Sequence, residues 1–143
     1  MKNIIITLIA VLSVFATSLA GITPPAAVLT AFTQKFPAAT KVTWEKENDH
    51  EFEAEFMIAG EKRSAIFSET GEWISLESPL KLKDLPESVR AACTKNYKGA
   101  TIQKAEKIEN SKGLTVYELD IKRGTKKQEV IFTAEGMELK GEK

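Results

Sequence analysis

Between residues 51 and 56, apolar side chains at 52, 54 and 56 alternate with glutamates at 51, 53 and 55. A side-chain period of two sends these sets to opposite faces of a strand. The pattern continues through Ala65-Ile66-Phe67 and Trp73-Ile74-Ser75-Leu76, and predicts strands near 51–58, 62–68 and 72–77. Ala59-Gly60-Glu61 and Glu69-Thr70-Gly71 are the turns, with glycines able to take the positive φ that tight hairpins require. Before them, Lys41-Val42-Thr43-Trp44-Glu45 alternates and is rich in β-branched and aromatic residues, which predicts a first strand ending at the polar turn 47–50. Short connections make all four strands antiparallel neighbours.

Four-residue spacing takes over on either side of this meander. Val28, Phe32 and Phe36 recur between Pro24-Pro25 and Pro37, which predicts a helix over 24–36, with the Thr23 hydroxyl available as a cap. Leu85, Val89, Cys93 and Tyr97 trace a second stripe before Gly99, and Asp84 with Glu87 has the spacing of a capping box. A weaker meander follows at Tyr117-Glu118-Leu119-Asp120-Ile121, Val130-Ile131-Phe132 and Met137-Glu138-Leu139.

The two halves align. Pro25 and Pro86, Val28 and Val89, and Phe36 and Tyr97 each differ by 61 residues, whereas Phe52 and Tyr117, Phe67 and Phe132, and Gly71 and Gly136 differ by 65. The extra four residues fall in the turn between the first two strands, where insertion is tolerated. The expected architecture is α+β: two tandem α-β-β-β-β repeats forming one antiparallel sheet of about eight strands, with two helices packed on one face. Joining the halves edge to edge hides two strand edges and leaves the other face of the sheet open. The expected segments are a signal peptide at 1–20, a first repeat at 21–77, a linker at 78–84 and a second repeat at 85–143, with the repeats forming one compact domain.

Residues 1–20 carry a single Lys2, the apolar run Ile4–Phe15 and the small-residue end Ala16-Thr17-Ser18-Leu19-Ala20, the three regions of a secretory signal. The expected product is therefore periplasmic or secreted, with no membrane insertion after cleavage. Twenty basic residues balance twenty acidic ones, which argues against a nucleic-acid binder. Cys93 is the only cysteine, so the chain forms no internal disulfide, and its place on an apolar stripe predicts a buried side chain.

Candidate chemistry is sparse. His50, the only histidine, lies in a polar turn without a nucleophile motif. Asn48, Asp49 and Glu51 lack the acidic loop that makes a calcium site. Glu51, Glu53 and Glu55 read as a solvated face opposite lysines such as Lys62. No catalytic residue, metal site or cofactor is expected, and the chain is not read as an enzyme. Phe32, Phe36, Phe52, Phe56, Phe67, Tyr97, Tyr117, Phe132 and Trp44 fall on core positions. Trp73 is set apart: if Met137 and Leu139 point inward, Glu138 and the matching Trp73 point outward. There Trp73 would join Ile66 and Ile131 on the open face as a partner-binding patch.

The pattern Pro25-x-x-Val28, Phe36-Pro37-x-Ala39, Val42-x-Trp44, Phe52-x-Ala54-x-Phe56, Gly60, Ala65-x-Phe67, Gly71-x-Trp73 and Leu85-Pro86-x-x-Val89 resembles the PepSY-like proteins with a β-lactamase-inhibitor-like fold, small exported proteins of Bacteroidetes-type bacteria. The second half departs from the pattern where Ala105 and Glu138 stand at the tryptophan positions. The resemblance implies a periplasmic, non-catalytic domain that binds other proteins. The leading expectation is a binding module for another periplasmic protein or peptide, as a monomer or homodimer. A self-associating envelope component is the alternative, and inhibition of a protease or β-lactamase rests on the resemblance alone.

Overall fold

The computed structural model describes residues 21–139, so the expected signal segment at 1–20 lies outside the described residues. Among the described residues no helix is long and apolar enough to cross a membrane. Helix α1 spans Ala26–Lys35 and is followed by strands β1 (Thr40–Lys46), β2 (Glu51–Ile58), β3 (Glu61–Ser68) and β4 (Trp73–Leu80). A 3-10 turn at Leu82–Asp84 leads to α2 (Glu87–Asn96), and then come β5 (Thr101–Asn110), β6 (Thr115–Arg123), β7 (Lys126–Thr133) and β8 (Glu138–Leu139). The eight strands form one antiparallel sheet whose spatial order is the chain order.

Helix boundaries follow the prolines rather than the expected polar caps. Pro25 and Pro86 occupy the N-cap positions, and neither helix has a side-chain cap hydrogen bond. Asp84 is held in the 3-10 turn, where its N–H donates to the Lys81 carbonyl, so the expected capping box with Glu87 does not form. At the other ends, Phe36 and Tyr97 donate their N–H groups to Phe32 and Cys93 and close both helices in the same way.

The expected linker at 78–84 is corrected at its start. Ser78, Pro79 and Leu80 continue β4 and pair with Lys107, Glu106 and Ala105 of β5. This pairing joins the two halves into one sheet. It also fixes the helices on one face, because Leu76 packs in the cluster under α1 and Leu80 in the cluster under α2. An even spacing along one strand puts both leucines on the same side.

Under α1, Val28 and Phe32 meet Phe52, Ala54, Phe56, Ala65 and Phe67. Phe32 is the hub of this cluster, with edge-to-face contacts to Phe56 at 5.1 Å and Trp44 at 5.2 Å between ring centroids. Under α2, Val89 and Cys93 meet Ala105, Leu119, Ile121, Val130 and Phe132. Ala105, at the position matching Trp44, fills this second core without an aromatic ring.

Two glycines set how closely the last strand of each half approaches its helix. Gly71 has φ +88°, and a Cβ there would lie 2.7 Å from the Ala27 carbonyl oxygen; Gly136 has φ +84°, and its Cβ would lie 2.6 Å from the Ser88 oxygen. The matching places of Gly71 with Ala27 and Gly136 with Ser88 are compatible with a repeated unit. Gly60 also has a positive φ, yet a Cβ there would meet nothing within 4 Å. Gly60→Ala should therefore cost about 1 kcal/mol of folding stability. Gly71→Ala and Gly136→Ala, which add a backbone clash, should each cost roughly 2–4 kcal/mol by urea denaturation.

Candidate functional site

The orientation expected for Trp73 is overturned. Its ring packs against the cluster under α1, the Lys35 ammonium of α1 lies 3.8 Å from the ring centroid, and its indole N–H donates to the Ser75 carbonyl at 2.8 Å. Two features defeat the parity argument. Phe67 pairs with Trp73 and Ile66 with Ser75, so Ile74 is an extra residue in a bulge that shifts the alternation. Glu138 also faces the helices: it pairs with Phe132 and accepts hydrogen bonds from Tyr97 and Asn96 of α2. Met137, expected inside, is 63% exposed. Burial, followed by this hydrogen bond to Glu138, raises the Tyr97 hydroxyl to about 12.

Ile66 and Ile131 do lie on the helix-free face. Following cross-strand partners gives its layout. One row runs Glu53, Ile66, Ser75, Asn110, and a second runs Glu55, Ser64, Glu77, Ile108, Val116, Thr133. The third is Pro79, Glu106, Glu118, Ile131, Leu139, and the fourth is Lys104, Asp120, Glu129. Ile66, Val116 and Ile131 are only 4%, 5% and 8% exposed, although no described helix packs on this side. Each stands between neighbouring strands, where side chains on both flanks are within van der Waals reach.

The glutamates of β2 are half-buried rather than fully solvated. Glu55 pairs with Lys62 at 2.7 Å, Glu51 accepts from Asn48, and Glu53 accepts from the Ser64 hydroxyl. Burial raises the Glu53 carboxyl, partly offset by that hydrogen bond. His50 is exposed and sits 3.2 Å from Glu69. Cys93 is buried in the second core, and burial raises its thiol, which disfavours the nucleophilic form.

Sequence reasoning missed a group of carboxylates that β4–β7 bring together. Carboxylate oxygens of Glu77, Glu106 and Glu118 lie within 4.8 Å of one another, and so do those of Glu118, Asp120 and Glu129. No contiguous motif announces them, because they come from four strands and meet only through register. Lys104 pairs with Glu106 at 2.7 Å. Burial would lower the Lys104 ammonium, but Glu106, Asp120 and Glu77 outweigh it and raise it. Burial, then repulsion and a hydrogen bond from Glu106, push the Glu77 carboxyl up to about 9. Burial, then Glu129, Glu106 and Asp120, push Glu118 up to about 7.

These shifts set the pH dependence of folding. Both groups have folded-state values above the ordinary 4.5, so their stabilising contribution is complete below that value and is lost as pH rises through about 7 for Glu118 and about 9 for Glu77. The urea midpoint should fall between pH 5 and 9, by on the order of 1–3 kcal/mol in unfolding free energy. Glu77→Gln with Glu118→Gln should flatten the profile; an unchanged profile in that double variant would remove these groups as its cause.

A search among curated proteins returns no significant match. Solved structures with the same fold include a DUF2874 family protein from Bacteroides ovatus, 24% identical with a TM-score of 0.73 over 84% of this chain and 87% of that one. A BLIP-like protein from Bacteroides fragilis is 22% identical, with a TM-score of 0.66 over 83% and 85% of the two chains. A third, from Bacteroides eggerthii, is described among "putative periplasmic proteins"; it is 18% identical, with a TM-score of 0.75 over 83% and 88%. The family model described as "Putative beta-lactamase-inhibitor-like, PepSY-like" matches residues 50–140, which takes in everything from β2 to the last strand. The chain belongs to this PepSY-like, beta-lactamase-inhibitor-like family.

Proposed function

We propose that this protein is an exported, periplasmic, non-catalytic module that holds another protein or peptide against the helix-free face of its sheet. The observation that carries the reading is that β3–β7 present a continuous field of apolar and acidic side chains with no described helix over it. The opposite face already has its occupants, the two helices. Export is supported by the signal-like pattern of residues 1–20 and by the description of the Bacteroides eggerthii protein. The non-catalytic part is supported by the exposed, turn-bound His50 and the buried, protonated Cys93, which are far apart in role and environment. The matching positions of the two halves support a tandem repeat of one helix-and-meander unit.

The patch differs from the one the sequence suggested. Ile66 and Ile131 remain in it, whereas Trp73, covered by Lys35, belongs to the packing of α1 on the sheet. A photo-crosslinking residue placed at Ser75 or Ile108 should capture a partner in the native cell envelope, whereas the same residue at Leu29 or Thr33 on α1 should not. Equal capture from both faces, or capture only from α1, would overturn the assignment. Capture of a second copy of this chain would turn the module into a self-associating component.

A further inference from the structure

On the helix-free face, five carboxylates from β4–β7 share one ammonium group, that of Lys104, which is already paired with Glu106 at 2.7 Å. Glu118 stands at the centre of this imbalance. It belongs to both carboxylate triads, is only 7% exposed, and has no hydrogen-bond or ion-pair partner among the described residues. Burial and its acidic neighbours raise the cost of ionising Glu118, and a cation supplied from outside offsets that cost. Immediately beside it along the rows lie Ile108, Val116 and Ile131, an apolar surround into which a hydrocarbon stem fits.

We propose that the helix-free face accepts a lysine or arginine side chain from a partner polypeptide, its charge seated between Glu77, Glu106 and Glu118 with Glu129 alongside and its methylene stem against Ile108, Val116 and Ile131. This rests on the reading of that face as the binding face. The Lys104 ammonium, 2.7 Å from Glu106, already shows this group holding a side-chain ammonium. A guanidinium also spreads its donors over several carboxylates at once, matching two triads that share one corner.

Occupation is coupled to protons. The charged groups facing the seat are Glu77 from β4, Lys104 and Glu106 from β5, Glu118 and Asp120 from β6, and Glu129 from β7, with Lys122 and Lys127 in the next row of the same face; on β3, Lys62 is turned to Glu55. While the seat is empty, burial and mutual repulsion favour the protonated forms of Glu77 and Glu118. An entering cation expels a proton, so affinity rises as pH increases through about 7.

The test is fluorescence anisotropy of the purified protein with three labelled peptides of alternating sequence, Lys-Val, Gln-Val and Glu-Val repeats, at pH 6 and pH 8. The Lys-Val peptide should bind, more tightly at pH 8, while the other two should not. Glu118→Gln should weaken binding by roughly tenfold or more. Glu87→Gln on α2 should leave it unchanged, and circular dichroism should show both variants folded. Equal binding by wild type and Glu118→Gln, or no preference for the Lys-Val peptide, would overturn the proposal. So would a calcium titration that saturates the wild type, fails in Glu118→Gln and leaves the peptide unbound, since it would assign the carboxylates to a metal. Crosslinking from Ile108 that persists in Glu118→Gln would leave the helix-free face as the binding face while rejecting the cation seat. Loss of crosslinking from that face in the wild type would instead reject the underlying reading.

Discussion

The pairing of β4 with β5 is the interaction on which the rest of this structure depends. Six consecutive residue pairs, from Ser75 with Asn110 to Leu80 with Ala105, turn two small helix-and-strand layers into one sheet. A single helix on a four-stranded layer buries little; sharing a sheet removes two exposed edges and ties both helices to the same side. The same six pairs set the chemistry of the other side. Because Leu76 and Leu80 face the helices, Glu77 between them must face away, and the register then places it against the row that contains Ile108 and beside the row that contains Glu106 and Glu118. Core packing on one face and carboxylate crowding on the other follow from one register.

The alternation of Phe52, Ala54 and Phe56 with three glutamates, and the four-residue stripes of the helices, made the element order, the antiparallel meander and the aromatic core of the first half legible in the sequence. Local periodicity failed where the backbone breaks its own period. The bulge at Ile74 is invisible in composition, since Ile74 is as good a strand residue as its neighbours, and only pairing with β3 leaves it unmatched. Met137 and Leu139 suggested an inward face, but β8 is two residues long, and the Tyr97 hydroxyl draws Glu138 toward α2 instead. Residues 78–84 read as a linker, yet β4 runs on to Leu80 and keeps its pairing through Pro79. The carboxylate group was illegible for another reason: its members are spaced by register, which no single stretch of sequence encodes.

The two halves solve the same packing problem with different chemistry. Where the last strand of the first half meets α1, an indole lies under a lysine ammonium; at the matching place in the second half, a carboxylate accepts from a tyrosine and an asparagine of α2. Lys35 and Asn96, like Phe36 and Tyr97, are 61 residues apart and occupy the same positions on their helices. The Bacteroides structures share this fold at 18–24% identity.

That the spatial order of the strands repeats their order in the chain has a kinetic side. Every strand pairs with the one made just before it, so, except across α2 between β4 and β5, each new hairpin closes a short loop and extends an existing template. A chain emerging amino terminus first can assemble in the direction in which it appears, with α1 covering the first strands before the last exist. Until β5 arrives beyond α2, the outer edge of β4 stays open, and the joint between the halves is the longest closure in the sheet.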